Sequence, residues 1–287
     1  HAKNEFSYSK KELLENREYN SGVFAFKFKP LYEEIHKIEN NNVQNEIYLT
    51  DLISLFNKAG YKISAVSPKE QYVVMGFNTK SVLLEMESIT RKNIYEKIKD
   101  IITIDDPDDF FIDETVVMQI LELDKLGLPV DIRIGKGAHI GKGVQINYNL
   151  NIDKNAKVIG NIKFGNNVSV GENTLLSCFY AQSIRVGHNV KVNRNCTLKG
   201  NVEIGDDCSI ESNVKITGND ETPTVIDKKV TIKGVTYIFG CEIGENIFIE
   251  HCVLIRKKIH KPENSKAEIY KVRFILPEAE GVEAIKD

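Results

Sequence analysis

Residues 134–175 read IGKGAH IGKGVQ INYNLN IDKNAK VIGNIK FGNNVS VGENTL. An apolar residue opens every six-residue phrase: Ile134, Ile140, Ile146, Ile152, Val158, Phe164 and Val170. After an interruption, LSCFYAQS, the phase resumes at Val186, Val192, Leu198, Ile204, Ile210 and Ile216. A second interruption, TGNDETPT, precedes Ile226, Ile232 and Ile238, and after the loss of one residue the phase reads Ile243, Ile249, Ile255. A period of six suits neither a 3.6-residue helix nor an alternating strand. It suits a short strand followed by a sharp corner, with the opener turned inward and Asn or Gly at the corner, where positive φ costs little. Three such sides close one coil, and stacked coils bury a continuous column of Ile and Val.

Composition places the chain among water-soluble proteins. Of 287 residues, 28% are charged and the net charge is −3, which gives no electrostatic case for nucleic acid. No apolar run reaches the length of a membrane span, and HAKNEF has no signal-peptide core, so a cytoplasmic protein without membrane partners is expected. The five cysteines, Cys178, Cys196, Cys208, Cys241 and Cys252, form no CxxC pair. Cys196 and Cys208 share the fifth place of their hexads with Val and Ala elsewhere, which reads as small buried side chains; a nucleophile or metal site is the alternative.

Ahead of the hexads the pattern alternates between helix and strand. A short helix is expected at KKELLENR (10–17), a strand over 21–28 and helical spacing over 29–38. A helix carrying Leu49, Leu52, Ile53 and Phe56 on one face should stop at Gly60, with a strand over 61–66. A long helix starts near Thr79. The five Asp of IDDPDDFFIDETVV read as a capped, solvated turn, since they lack calcium-loop spacing. The basic run RKKIHK (256–261) reads as an end-cap of the solenoid, with phosphate binding as the alternative, and EIYKVRFIL as a strand.

Three motifs stand in a telling order: YNSG at 19–22, NNNVQNEIYLTD at 40–51 and GFNTK at 76–80. In that order, and ahead of a hexapeptide β-helix, they resemble the bifunctional bacterial enzymes that join an N-acetylglucosamine-1-phosphate uridyltransferase to a glucosamine-1-phosphate acetyltransferase. The likeness is close over residues 1 to about 115 and architectural beyond. It implies an α/β fragment, the C-terminal part of a Rossmann-like nucleotidyltransferase domain, followed by a left-handed parallel β-helix. The expected divisions are 1–78 for that part, 79–115 for a linker helix and acidic transition, 116–260 for the β-helix and 261–287 for a strand and tail. The left hand is a property of the family, since it runs against the usual crossover rule.

The resemblance also carries residues. Glu5 and Asn20 fall where the family holds the sugar, and Asn78 where it supplies an amide oxygen to the catalytic Mg²⁺. UTP and N-acetylglucosamine-1-phosphate are the implied substrates, and a homotrimer the implied assembly. Two departures qualify this. The Gly-rich phosphate loop and the metal-binding Asp do not occur in this sequence, so an N-terminal part of the same protein is expected to supply them. The acetyltransferase segments, including the one bearing the general-base His, are absent too, which makes acetyl-CoA an unexpected cofactor. His139, His188 and His251 lie among the hexads and read as surface or structural groups, with general-base work as the alternative. A hexapeptide acyltransferase and a non-catalytic trimerisation stalk are the competing functions.

Overall fold

The computed structural model describes residues 8–16, 19–40 and 45–276. Two compact units divide the chain between Glu87 and Ser88.

In the first unit the expected helices form. Helix α1 (Lys10–Glu15) opens with a reciprocal capping box between Ser9 and Glu12. Helix α2 (Phe28–Glu34) runs on into a 3-10 turn, Ile35–Lys37. In α3 (Asp51–Lys58), Leu52 and Phe56 are buried while Ile53 stays exposed, and Leu49, also exposed, lies ahead of the helix, so the apolar face is narrower than the sequence suggests. Phe56 makes T-shaped contacts with Phe26 and Tyr61, with ring centroids 5.4 and 5.6 Å away, and the Tyr61 hydroxyl donates to Glu33 at 2.7 Å. The two expected strands are not strands. Residues 21–27 and 61–66 have no ladder partner among the described residues, and Phe28 already belongs to α2. Alternating side chains favour extended backbone, but only a neighbouring strand turns extension into sheet.

The second unit is the solenoid. Helix α4 (Lys80–Ile98) ends with Ile94, Tyr95 and Ile98 against its core cluster. Three parallel sheets of nine, eight and seven strands wrap one apolar column, a β-helix of about seven turns with the left hand expected of hexads. On the first face Ile134 pairs with Ile152, then Val170, Val192, Ile210, Ile232 and Ile249. On the second, Ile140, Val158, Leu176, Leu198, Ile216 and Ile238 follow one another; on the third, Phe164, Val186, Ile204, Ile226 and Ile243 do. One opener is corrected. Ile238 pairs with Leu254, which is buried, while Ile255 points outward; another residue is lost before this strand, and the inward place moves back by one.

The corner is what the hexad's fourth place supplies. Asn149, Asn155, Asn167, Asn173, Asn189 and Asn195 have φ between 55 and 58°. Asn tolerates this left-handed backbone better than any residue but Gly. Their side chains stack as ladders: Asn149 donates to Asn167, Asn167 to Asn189 and Asn189 to Asp207, at 2.9–3.0 Å.

The solenoid begins earlier than residue 116. Thr103–Ile104 and Phe111–Ile112 already pair with the first coil, and residues 114–125 form helix α5 (Glu114–Lys125) rather than hexads. Helix α5 seals the amino-terminal end. Val116, Val117 and Ile120 bury against the column, and Gln119 occupies the open sheet edge, donating to the Val144 carbonyl at 2.9 Å and accepting from the Ile146 amide at 3.0 Å. An exposed edge would otherwise be a template for pairing with another chain. The acidic transition is a paired turn: Arg133 grips both oxygens of Asp105 at 2.9 and 2.7 Å, Lys136 holds Asp106 at 2.8 Å, and Asp113 caps α5.

Ile204→Asp would place an unpaired carboxylate in this column. We expect a loss of about 4 kcal/mol or more, read as a fall in the thermal midpoint. An unchanged melting curve would mean that Ile204 does not face inward. Gln119→Ala, which leaves two edge groups unpaired, should cost about 1–3 kcal/mol.

Candidate functional site

The YNSG segment forms a tight turn. The Asn20 side-chain oxygen accepts the Gly22 amide at 2.9 Å, Ser21 Oγ accepts the Val23 amide at 3.3 Å, and Gly22 has φ +73°. Asn20 therefore opens a turn, not the strand expected after it. Its side chain is exposed. Asn78 is also exposed, in the bend just before α4. Thr79 caps that helix: its hydroxyl accepts the Val82 amide at 3.4 Å and its carbonyl the Leu83 amide at 3.2 Å. With the cap supplied by its neighbour, the Asn78 amide faces solvent beside a helix N-terminus, where anions are favoured. No hydrogen bond joins Asn20 to Asn78 among the described residues. Glu5 lies outside the described residues.

On the solenoid, each histidine is engaged locally. His139 stacks on Phe111 at 4.2 Å, and burial, with Lys157 beside it, pushes its imidazole below the usual range. His188 Nδ1 accepts the Asn166 amide at 2.9 Å, so in the neutral ring Nε2 carries the proton and no lone pair is left for a substrate. His251 stacks on Phe274 and lies over Gly234, where any Cβ would strike its ring. Among the described residues, no three His, Cys, Asp or Glu side chains are grouped to hold a metal ion.

The cysteines are core residues, as their hexad places suggest. Cys196, Cys208, Cys241 and Cys252 are buried and Cys178 is half-buried. Cys208 donates to the Asp227 carbonyl at 3.1 Å, and burial raises its thiol from the ordinary 9.0 to about 11. The basic run joins the third face at its carboxyl end: Lys258–Ile259 pairs with Glu242–Ile243, and Lys258 and His260 both approach Glu242, at 2.8 and 3.3 Å.

One feature that the hexad reading passed over is Asn201. Both interruptions leave the solenoid at the same corner, between the second and third faces, two coils apart. On the intervening coil, Asn201 accepts the Ser183 amide of the first loop at 2.8 Å and donates to Asp220 of the second at 2.9 Å. Only the alignment of coils, not the spacing of hexads, brings these three residues together.

Residues 183–218 match the family described as bacterial transferase hexapeptide (six repeats). The chain is 37% identical over 127 residues to the bifunctional protein GlmU of Clostridium tetani (strain Massachusetts / E88), covering 44% of this chain and 27% of that protein. This chain is similar to the GlmU proteins over part of its length. The GlmU of Acetivibrio thermocellus is 36% identical over 105 residues, covering 36% of this chain and 23% of its own length. That of Clostridium kluyveri is 43% identical over 84 residues, 29% of this chain and 18% of its own. The chain thus spans about a quarter of the length of the GlmU proteins it matches. No helix among the described residues is long and apolar enough to cross a membrane.

The Cys208 thiol gives a pH test. The unfolded chain ionises near 9.0 and the folded one near 11, so the stabilisation is complete below pH 9 and is lost as pH rises from 9 to 11. Denaturant midpoints measured across this window should fall more steeply for the native protein than for Cys208→Ala. Equal slopes would place Cys208 outside the core.

Proposed function

We propose that this chain carries part of a sugar-1-phosphate nucleotidyltransferase, with UTP and N-acetylglucosamine-1-phosphate as substrates. The order YNSG, NNNVQNEIYLTD, GFNTK carries this reading, and the exposure of Asn20 and Asn78 supports it. In such a reaction the sugar phosphate attacks the α-phosphate of the nucleotide and pyrophosphate leaves. Positioning and charge neutralisation supply most of the catalysis. Mg²⁺ would neutralise charge on the phosphates. Asn78 would lend it one hard oxygen ligand, a donor that fits a cation otherwise held by water and phosphate. In Asn20 the oxygen is committed to the turn, so its NH₂ would face a sugar oxygen. Glu5 would accept from a sugar hydroxyl. On this reading the solenoid is the assembly element, forming a homotrimer.

A second reading, acyl transfer from acetyl-CoA on the solenoid, is favoured by the hexapeptide transferase match. Its weak point is the base, since His188, inside the matched stretch, has its Nδ1 lone pair committed to Asn166.

Two assays on the full-length protein separate these. In a pyrophosphate-release assay, Asn78→Ala should raise the Mg²⁺ concentration needed for half-maximal rate, while Glu5→Ala should act through the KM for sugar phosphate. Wild-type metal dependence in Asn78→Ala would remove Asn78 from the site. In a thiol-release assay with glucosamine-1-phosphate and acetyl-CoA no turnover is expected; turnover abolished by His188→Ala would establish the second reading instead.

A further inference from the structure

The two ends of the solenoid are finished differently. Helix α5 seals the amino-terminal end. At the carboxyl-terminal end the last described strands are Tyr270–Arg273 on the first face, Val253–Ile255 on the second and Lys258–Ile259 on the third. The chain goes on past the first face. Phe274 repeats the left-handed corner that Gly234 and His251 form below it, with φ 54° after 64° and 52°, and its ring stacks on His251. Ile275 and Leu276 then turn onto the second face. The Val253 amide donates to the Ile275 carbonyl at 2.7 Å, just as the Tyr237 amide one coil below donates to the Cys252 carbonyl at 2.9 Å. Tyr237 stands opposite Val253, so Val253 stands opposite Leu276. A new coil has begun on this face.

The surface that lies ahead of this coil is apolar and cationic. Leu254, the last inward residue of the second face, is 1% exposed although no described strand stands above it. Ile259 holds the same place on the third face and is half-buried. The corner between them carries Arg256, Lys257, Lys258, His260 and Lys261. Lys258 and His260 meet Glu242, and Arg256 lies over the Phe239 ring. Lys257 and Lys261 are exposed and make no ion pair among the described residues. Residues 277–283 read PEAEGVE. Carrying the register one residue past Leu276 sets Pro277 opposite Leu254. In the two coils below, the inward residues of the second and third faces are five apart: Ile238 and Ile243, then Leu254 and Ile259. The same step from Pro277 lands on Val282, an apolar residue. It also sets Glu280 opposite Lys257 and Glu283 opposite His260.

We propose that residues 277–283 complete this coil, docking on the open edges of Val253–Ile255 and Lys258–Ile259 of their own chain. Pro277 and Val282 turn inward over Leu254 and Ile259, and Glu280 and Glu283 meet the basic corner. The Ile255 amide donates to the Pro277 carbonyl and the His260 amide to the Val282 carbonyl, by the rule that joins Val253 to Ile275. Pro277 has no amide to donate, which suits the last strand of a sheet. Three observations choose this occupant. The chain already enters the coil at Ile275, the five-residue step lands on Val282, and the carboxylates of the segment fall on a cationic corner. The basic run is then the seat of an internal cover and not a phosphate site. A solenoid closed in this way offers no free ladder to the end of another. This inference does not rest on the nucleotidyltransferase reading, and its test is independent of activity.

The test is residue-resolved hydrogen exchange on the full-length protein. In wild type the Ile255 and His260 amides should be protected, as the Val253 amide is by its bond to Ile275. Val282→Asp should speed exchange at both by about tenfold or more, while Val282→Ile keeps them protected. The Tyr237 amide, one coil below, should stay protected in every variant and so reports that the solenoid is folded. Charge reversal is the decisive arm. Lys257→Glu and Glu280→Lys should each speed exchange at Ile255 and His260 by roughly twofold or more, and the double variant should recover the wild-type rates. Glu203→Lys, in the middle of the third face, should change neither. Free exchange at Ile255 and His260 in wild type, protection that survives Val282→Asp, or a double variant no better than the single ones would each overturn the proposal. Protection that rises with protein concentration would overturn it too, since the covering segment would then come from another copy.

Discussion

Most of the solenoid depends on one backbone constraint: a left-handed residue at the corner, at the fourth place of most hexads. With φ near 57° at that place, the chain turns sharply enough for the next strand to start the adjoining face, and every sixth side chain returns to the axis. Asn meets the constraint at a cost small enough to repeat many times, and its amide then bonds to the Asn one coil away. The corner therefore closes each coil and also fastens it to the next. Where Asp207 replaces Asn, it accepts the last bond of the ladder and donates none.

The buried column follows from the corner. Its polar members show how strictly it is kept dry. Thr174, Thr224 and Thr236 take inward positions, and each hydroxyl both donates to a carbonyl and accepts a backbone amide. They substitute for Val or Ile in shape while leaving no polar group unpaired. The cysteines do the same with a weaker donor, which is why burial rather than chemistry governs the Cys208 thiol.

The sequence revealed most where a local rule repeats. Each hexad carries its own inward residue and corner, so the faces, the column and the role of Cys196 and Cys208 could be read directly. It revealed less where geometry is set by partners distant in the chain. Leu254 displaces Ile255 because a shortened corner shifts the strand, and both residues are equally apolar. Helix α5 was hidden because VVMQIL satisfies a buried strand as well as a buried helix, and only the closing of the solenoid's end decides between them. Residues 21–27 and 61–66 alternate like strands but have no strand beside them to pair with among the described residues. Of the candidate site, the place of Asn78 just ahead of the long helix was legible from GFNTK, whereas the turn at Asn20 was not. Nor was the commitment of the Asn20 oxygen to Gly22, since it depends on a rotamer.

The two loops leave the solenoid without disturbing it. Successive Asn of a ladder stand eighteen residues apart where coils are regular and twenty-two apart across the first loop, yet the amides meet at 3.2 and 3.4 Å all the same. The coil therefore behaves as a chassis with a standard mounting point at one corner. Cargo fixed there costs little more than loop closure, a penalty that grows by only about 0.6 kcal/mol for each doubling of length. New recognition surfaces can be acquired, exchanged or lost at that corner while the column beneath keeps its register.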